Sequence, residues 1–319
     1  MPSTSFILGA GFSAGAGFPL VRHLKQQVLD WVMVERHPSW EPHLRPHLHG
    51  FPEGQFYAGL KAVDPHGSLG LEELMIALRD RLRDTHDQDP SYVTLRVLRD
   101  ACGRLLWQKH RCVTDLPIAY RNFGLWMHQH HGNGQPNAVI SLNWDVLAER
   151  VLSESKAGWQ YTVHSPWVPV LKPHGSINWS KHLQEGLRAE SQDWRQISPG
   201  SPYSYIPRDP FFDPFEQGAN QNLRHLLFPG DPEDEKGVAQ IWNEAAQAIG
   251  EREAVVFIGY SLPVYDAPAR EFFSRVAAGK RIEVYSRSLD TLENYRRHLG
   301  TINTDRPCPF VESVYARKP

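Results

Sequence analysis

Apolar positions fall along this chain in two rhythms. Short continuous runs, SFIL at 5–8, AVISL at 138–142, VPVL at 168–171, AVVFIG at 254–259 and RIEVY at 281–285, have the length and β-branched content of strands buried on both faces. A further strand is expected at Tyr161–His164. Between these runs the apolar residues recur every three or four positions. LEELMIALRDRLRD places Leu71, Leu74, Met75, Leu78 and Leu82 on one helical face, and YVTLRVLRDACGRLLW behaves alike. Helices are also expected over Leu20–Met33, WDVLAERVL, Val238–Ile249, Ala267–Ala278 and Leu289–His298. Strands alternating with helices predict an α/β fold, a Rossmann-like doubly wound parallel sheet.

The long helical tract sets the organisation. One domain is expected, with a core of residues 1–20 and 136–319 and a helical insertion over approximately 21–135. From Gln184 to Gly237 the chain is rich in Pro, Tyr and Phe, as in SPGSPYSYIPRDPFFDPF, with turn chemistry and little period. Its aromatic content predicts an ordered loop over the site rather than disorder. No internal repeat is present.

Composition narrows the function classes. With 319 residues, 41% hydrophobic and 22% charged, and a mean hydropathy of −0.46, the chain reads as an ordinary globular protein. It has no apolar run long enough to span a bilayer, and its start lacks a basic n-region, so a cytoplasmic protein without membrane partners is expected. Thirty-four basic against 36 acidic side chains give a net charge of −2, which provides no electrostatic footprint for nucleic acid. Cys102, Cys112 and Cys308 show no CxxC spacing, against both a disulfide framework and a four-cysteine zinc site. Two histidine clusters, His37, His43, His47 and His49, and His128, His130 and His131, match no metal spacing, and no metal is expected.

Four strand ends carry the candidate chemistry. After the first strand comes GAGFSAGAGFP, with Gly9, Gly11, Gly15 and Gly17 leading into a helix. Backbone N–H groups there could cradle a pyrophosphate; the same glycines also suit a tight strand-to-helix turn. A Walker lysine is missing, and the region where a dehydrogenase places its ribose-binding acid is helical, so P-loop and dehydrogenase readings fail. SLNWD sets Asn143 and Asp145 at the end of a second strand, where they suit either a ligand crevice or a helix cap. LKPHGSINW sets His174 at a third strand end, with the side chain best suited to proton transfer near neutrality. VVFIGYSLPVYD places Gly259 and Ser261 at a fourth, just before a helix beginning near Asp266. In a parallel sheet all four junctions converge on one edge.

Together these segments resemble the sirtuins, the NAD-dependent silent-information-regulator family. GAGFSAGAGFP is similar to its GAGxSxxxGxP loop, NWD to its Asn-x-Asp motif, HGS to the segment bearing its catalytic histidine, and GYSL to its later Gly-x-Ser-Leu. The resemblance covers roughly 5–20, 138–180 and 254–290. There are departures. The family's CxxC…CxxC zinc module is missing, Leu20-Val21-Arg22 stands where Asp-Phe-Arg is usual, and Leu142 replaces the Gln before the Asn. The zinc-less pattern is closest to bacterial sirtuin-like domains of antiphage systems, for which the resemblance implies NAD hydrolysis and depletion of cellular NAD.

On that resemblance NAD is the substrate and no metal takes part. Asn143, His174 and Asp145 are the expected catalytic residues: Asn143 positions ribose or water, His174 is the base, and Asp145 orients the group. Gly9, Ala10, Gly11, Ser13, Gly17, Pro19, Asn143, Gly175, Gly259, Ser261, Leu262 and Asp266 are expected to bind NAD. A homo-oligomer, or a separate sensor or ATPase protein, is expected to control the activity. The alternative is a non-catalytic module that senses NAD or ADP-ribose for a partner, and protein deacylation ranks below both.

Overall fold

The computed structural model describes residues 2–34, 53–84, 89–131, 136–181, 205–207, 224–226 and 235–317. The chain opens with β1 (Thr4–Leu8), the short helix α1 (Ala10–Ala14) and α2 (Val21–Val34). Next come α3 (Glu53–Val63), α4 (Leu71–Asp84), α5 (Pro90–Cys112) and α6 (Ile118–His131). β2 (Ala138–Ser141), α7 (Leu147–Glu154), β3 (Trp159–Gln160) and β4 (Val168–Leu171) follow, then β5 (Gly175–Lys181), β6 (Tyr205–Pro207) and β7 (Arg224–Leu226). The last elements are α8 (Glu235–Gly250), β8 (Ala254–Ile258), α9 (Ala267–Val276), β9 (Arg281–Tyr285) and α10 (Leu289–Leu299).

Six strands pair in the order β3-β4-β2-β1-β8-β9, and each of those ladders is parallel. The strands with continuous apolar runs occupy the centre: every residue of β1, β2 and β8 is buried. A parallel strand covered by helices on both faces has no solvent side to alternate toward, which is why these segments read as unbroken hydrophobic runs. The expected Rossmann-like doubly wound architecture is thus observed. β1 pairs with β2 on one side and β8 on the other, so the order reverses at β1 and opens a crevice beyond its carboxyl end.

Two local expectations differ. The strand expected at Tyr161–His164 is instead β3 at Trp159–Gln160, and Tyr161 turns inward to donate its hydroxyl to Glu149 Oε1 at 2.9 Å. β5 is a strand that the pattern of apolar residues does not predict; it forms a second, antiparallel sheet in the order β6-β5-β7. β6 and β7 fall within the Pro- and aromatic-rich tract expected as a loop, and the rest of that tract between 182 and 234 lies outside the described residues.

Among the described residues, the regular elements between β1 and β2 are all helices. α5 contacts α2, α3 and α4 and is the spine of this layer. Its start follows from the sequence: Asp89 accepts the Ser91 N–H at 2.8 Å, Pro90 occupies the first turn, and Lys109, His110 and Arg111 occupy the last. α6 packs its aromatic face on the sheet, with Phe123 and Trp126 edge-on to Phe6 of β1 at 5.2 and 5.4 Å between ring centroids. Tyr315 closes the same cluster at 5.0 Å from Phe6, so the C-terminal segment covers β1.

His110 is buried in this layer, its ring stacked on Trp107 at 5.1 Å. Burial, with Arg150 and Lys172 nearby, pushes its pKa down to about 4. The unfolded chain takes up a proton below about 6.5 that the native state refuses until about 4, so this residue's contribution to stability is lost as pH falls through that window. His110→Phe should shrink the acid-side loss of stability by on the order of 2–3 kcal/mol, measured by urea unfolding at neutral and acidic pH.

Candidate functional site

The carboxyl ends of β1, β2, β4 and β8 meet at one edge of the sheet, and the candidate residues extend from them. Backbone contact builds the first layer. Gly9 N–H donates to Ile258 O at 3.0 Å and Gly11 N–H to Gly259 O at 2.8 Å, so the loop after β1 is stitched to the loop after β8. A Cβ on Gly9 would lie 2.5 Å from the Tyr260 Cα, and one on Gly11 2.7 Å from the Gly259 Cα. A Cβ on Gly259, where φ is +65°, would meet the Phe12 nitrogen at 2.2 Å. Three of the expected binding glycines therefore serve loop-on-loop packing, and the amides of Gly9 and Gly11 are already engaged. Gly17 differs: its φ of +90° ends the turn after α1, and its space is open.

The second layer is a buried polar network. Asn143 donates through Nδ2 to Gly9 O at 2.9 Å and Ser13 Oγ at 3.1 Å. Ser13 is hydrogen-bonded in turn to the Asp145 carboxylate, which also accepts the N–H of Leu147, the first residue of α7, at 3.0 Å. Burial raises the Asp145 pKa, against the opposing pull of Lys172 and these hydrogen bonds. Lys172 is wholly buried, donating to Asp145 O at 2.5 Å and to Glu149 Oε1 at 3.0 Å. The structure thus brings Gly9, Ser13, Asn143 and Asp145 together, and sets Lys172 and Glu149 behind them. The signal for Lys172 is a lone charge between the apolar run VPVL and the histidine.

The third layer holds the histidine. Gly175 N–H closes a turn onto Lys172 O at 2.9 Å, and that turn carries His174 out of β4. His174 is 5% exposed, and its Nε2 has no hydrogen-bond partner among the described residues. Asp266 Oδ2 lies 3.4 Å from that nitrogen, and Trp242 of α8 packs edge-on to the ring at 6.0 Å. Asp266 is itself anchored. It accepts the Tyr260 hydroxyl at 2.6 Å and the Ala269 N–H at 3.3 Å, capping α9. A buried imidazole nitrogen without a partner, facing a fixed carboxylate, is equipped to exchange a proton with a bound group.

Other expected residues stand at the rim. Ala10 and Pro19 are half-buried, whereas Gly175 is buried in the turn beside His174. Ser261 is exposed, and its carbonyl and that of Leu262 accept Asn294 Nδ2 at 3.0 and 2.9 Å. Leu262 is buried with φ at +55°, a conformation that this anchoring holds in place. Of the histidine clusters, His37, His43, His47 and His49 lie outside the described residues. His130 and His131 bond the Trp126 and Pro166 carbonyls at 2.8 and 3.1 Å, both structural contacts. Among the described residues no group of three or more His, Cys, Asp or Glu side chains could hold a metal ion, and no helix is long and apolar enough to cross a membrane.

Fold and site edge together define a Rossmann-like α/β protein with its polar groups gathered at the switch point of the sheet. No family model matches the chain, and no curated protein matches it. Among solved structures it is similar to a triple mutant of a Sir2 homologue in complex with 2′-O-acetyl ADP ribose, at 15% identity and a TM-score of 0.45, over 99% of this chain and 91% of that one. It is similar to a Sir2 homologue–NAD complex at 14% identity and a TM-score of 0.43, over 99% and 88% of the two chains. A third similarity is to Sir2Tm bound to a propionylated peptide, at 15% identity and a TM-score of 0.39, over 92% and 90%.

Gly259→Ala combines strain with a backbone clash and should cost at least about 2 kcal/mol in urea unfolding, whereas Gly17→Ala, strained but in open space, should cost about 1 kcal/mol.

Proposed function

We propose that this chain is a sirtuin-like NAD hydrolase that cleaves the nicotinamide–ribose bond to give nicotinamide and ADP-ribose. The observation that carries the reading is the buried Nε2 of His174, which has no hydrogen-bond partner among the described residues and is set against Asp266 at the edge that Asn143 and the glycine loop also line. The order of the motifs along the sequence supports it.

In this reading the bond from the ribose carbon to the pyridinium nitrogen breaks through an oxocarbenium-like transition state, and its electron pair neutralises the ring. A cationic leaving group needs little acid assistance, so the protein's work lies in positioning and in taking a proton from water or a ribose hydroxyl. His174 takes that proton. Asn143, its amide nitrogen engaged with Gly9 and Ser13, presents its carbonyl oxygen to the ribose or the water. Asp145 acts through Ser13 as a positioning residue. The loop from Ala10 to Pro19 holds the pyrophosphate, and Gly259, Ser261 and Leu262 face the adenosine side with Asp266 bracing their turn.

The same reading makes the protein an effector of bacterial antiphage defence, acting in the cytoplasm. It is restrained by assembly of its own copies or by a separate sensor or ATPase protein until infection. One observation favours a second reading, an NAD or ADP-ribose sensor without turnover: the Asn143 amide nitrogen is wholly taken up in tying two loops together.

Nicotinamide release from NAD, followed across a range of protein concentrations, distinguishes the two. Wild type should release nicotinamide, and His174→Ala should lose about 10²–10⁴-fold. Full release by both His174→Ala and Asn143→Ala would refute the assignment, and saturable NAD binding without product would establish the sensor.

A further inference from the structure

We propose that Asn294 of α10 is a positioning residue for the nucleotide: it fixes the peptides around Ser261 so that this exposed serine meets the adenosine side of NAD in one orientation. The inference rests on the NAD hydrolase reading for its ligand and on the hydrogen bonds of the loop after β8 for its geometry. Every carbonyl from Ile258 to Pro263 is in use. Ile258 O and Gly259 O accept the Gly9 and Gly11 N–H groups at 3.0 and 2.8 Å, and Pro263 O accepts the Asp266 N–H at 3.2 Å. Between them, Tyr260 O accepts the Tyr295 hydroxyl at 3.0 Å, and Ser261 O and Leu262 O share Asn294 Nδ2 at 3.0 and 2.9 Å. Two adjacent side chains of α10 therefore hold three consecutive carbonyls.

Peptide geometry supplies the next step. In a planar trans peptide the C=O and the following N–H point in opposite directions, and the peptides of this loop are trans. With Tyr260 O drawn to Tyr295, the Ser261 N–H is directed away from α10. The peptide on the other side of Ser261 is pinned by Asn294. Ser261 is exposed, and neither its N–H nor its hydroxyl has a hydrogen-bond partner among the described residues. A serine on an exposed loop is ordinarily free to reorient; here both flanking peptides are fixed while both donors stay available. The hydrogen bond from Gly11 to Gly259 O, two residues earlier, keeps those donors beside the glycine loop.

The hold has a rigid base and a specific task. Tyr295 is wholly buried, its ring 4.8 Å from that of Phe257 in β8, so the hydroxyl that takes Tyr260 O is fixed to the sheet. Leu262 has φ at +55°, a region that leucine avoids unless its surroundings impose it. Without Asn294 the Ser261 and Leu262 carbonyls lose their donor, Leu262 relaxes, and the peptide after Ser261 turns with it. NAD would then have to order the loop on binding, and that cost appears in affinity. Asn294 acts through Ser261, at a distance from the bond that breaks, so its effect falls on binding rather than on turnover.

Nicotinamide release and ADP-ribose binding by the whole protein test the role. Asn294→Ala should raise KM for NAD and Kd for ADP-ribose together by about 5–20-fold and leave kcat within about threefold, with partial recovery in Asn294→Gln. Tyr295→Phe keeps the buried ring, loses only the hydroxyl, and should move the same two constants in the same direction. Arg297→Ala, at an exposed position of α10, should move neither. In protein labelled with nitrogen-15 serine, saturating ADP-ribose should shift the Ser261 amide, the signal lost in Ser261→Ala. A wild type that binds ADP-ribose no better than Asn294→Ala, or whose Ser261 amide stays put, overturns the role and leaves the hydrolase reading standing. A fall in kcat with KM and Kd unchanged does the same. A wild type that binds ADP-ribose without releasing nicotinamide refutes the hydrolase reading, and Kd then decides the role; one that does neither refutes both.

Discussion

The contact on which the rest of the site depends is the meeting of two backbones. Gly9 and Gly11 press against Gly259 and Tyr260 so closely that a single methyl on any of the three glycines would lodge among main-chain atoms. Main chain cannot swing aside as a side chain can, so the spacing between β1 and β8 at their carboxyl ends is set to within a few tenths of an ångström. Everything downstream inherits that spacing. The carbonyl of Gly9 is the acceptor for Asn143, and the chain after Gly259 runs through Tyr260 to Asp266. An error at the crossing would displace both the amide and the carboxylate that faces His174.

Behind this crossing the protein keeps charges out of water. Lys172, Glu149 and Asp145 are all buried, a costly arrangement unless each polar atom finds a partner. Most do: Lys172 bridges a carbonyl and a carboxylate, and Tyr161 donates to that same carboxylate. Glu149 Oε2 has no hydrogen-bond partner among the described residues, and burial raises the pKa of the neighbouring Asp145. The network links α7 to the strand end that bears His174, which fixes the histidine's turn from beneath.

Much of this is legible in the sequence, for a physical reason. Central parallel strands announce themselves as continuous apolar runs, and the groups at their ends follow at once, so Asn143, His174 and Gly259 can be placed on one edge without coordinates. β5, β6 and β7 are not legible. β6 and β7 have three residues each, too short to show a period, and β5 starts at a glycine with a shift of register. Tyr161 misleads because its apolar ring suggests a strand, while its hydroxyl serves Glu149.

The register of β1 has a consequence for synthesis on the ribosome. Thr4 pairs with Ala254 and Leu8 with Ile258, so β1 waits for β8 to be made. Until β8 and the loop after it have emerged, no nascent chain possesses Gly259, Asp266 or the crossing that seats Asn143. At about 5–20 residues per second, that interval lasts on the order of ten seconds or more. Throughout it the growing polypeptide carries a glycine loop, an asparagine and a histidine with no frame to align them. Truncated translation products ending before β8 therefore lack the backbone crossing that sets the position of Gly9, the acceptor for Asn143.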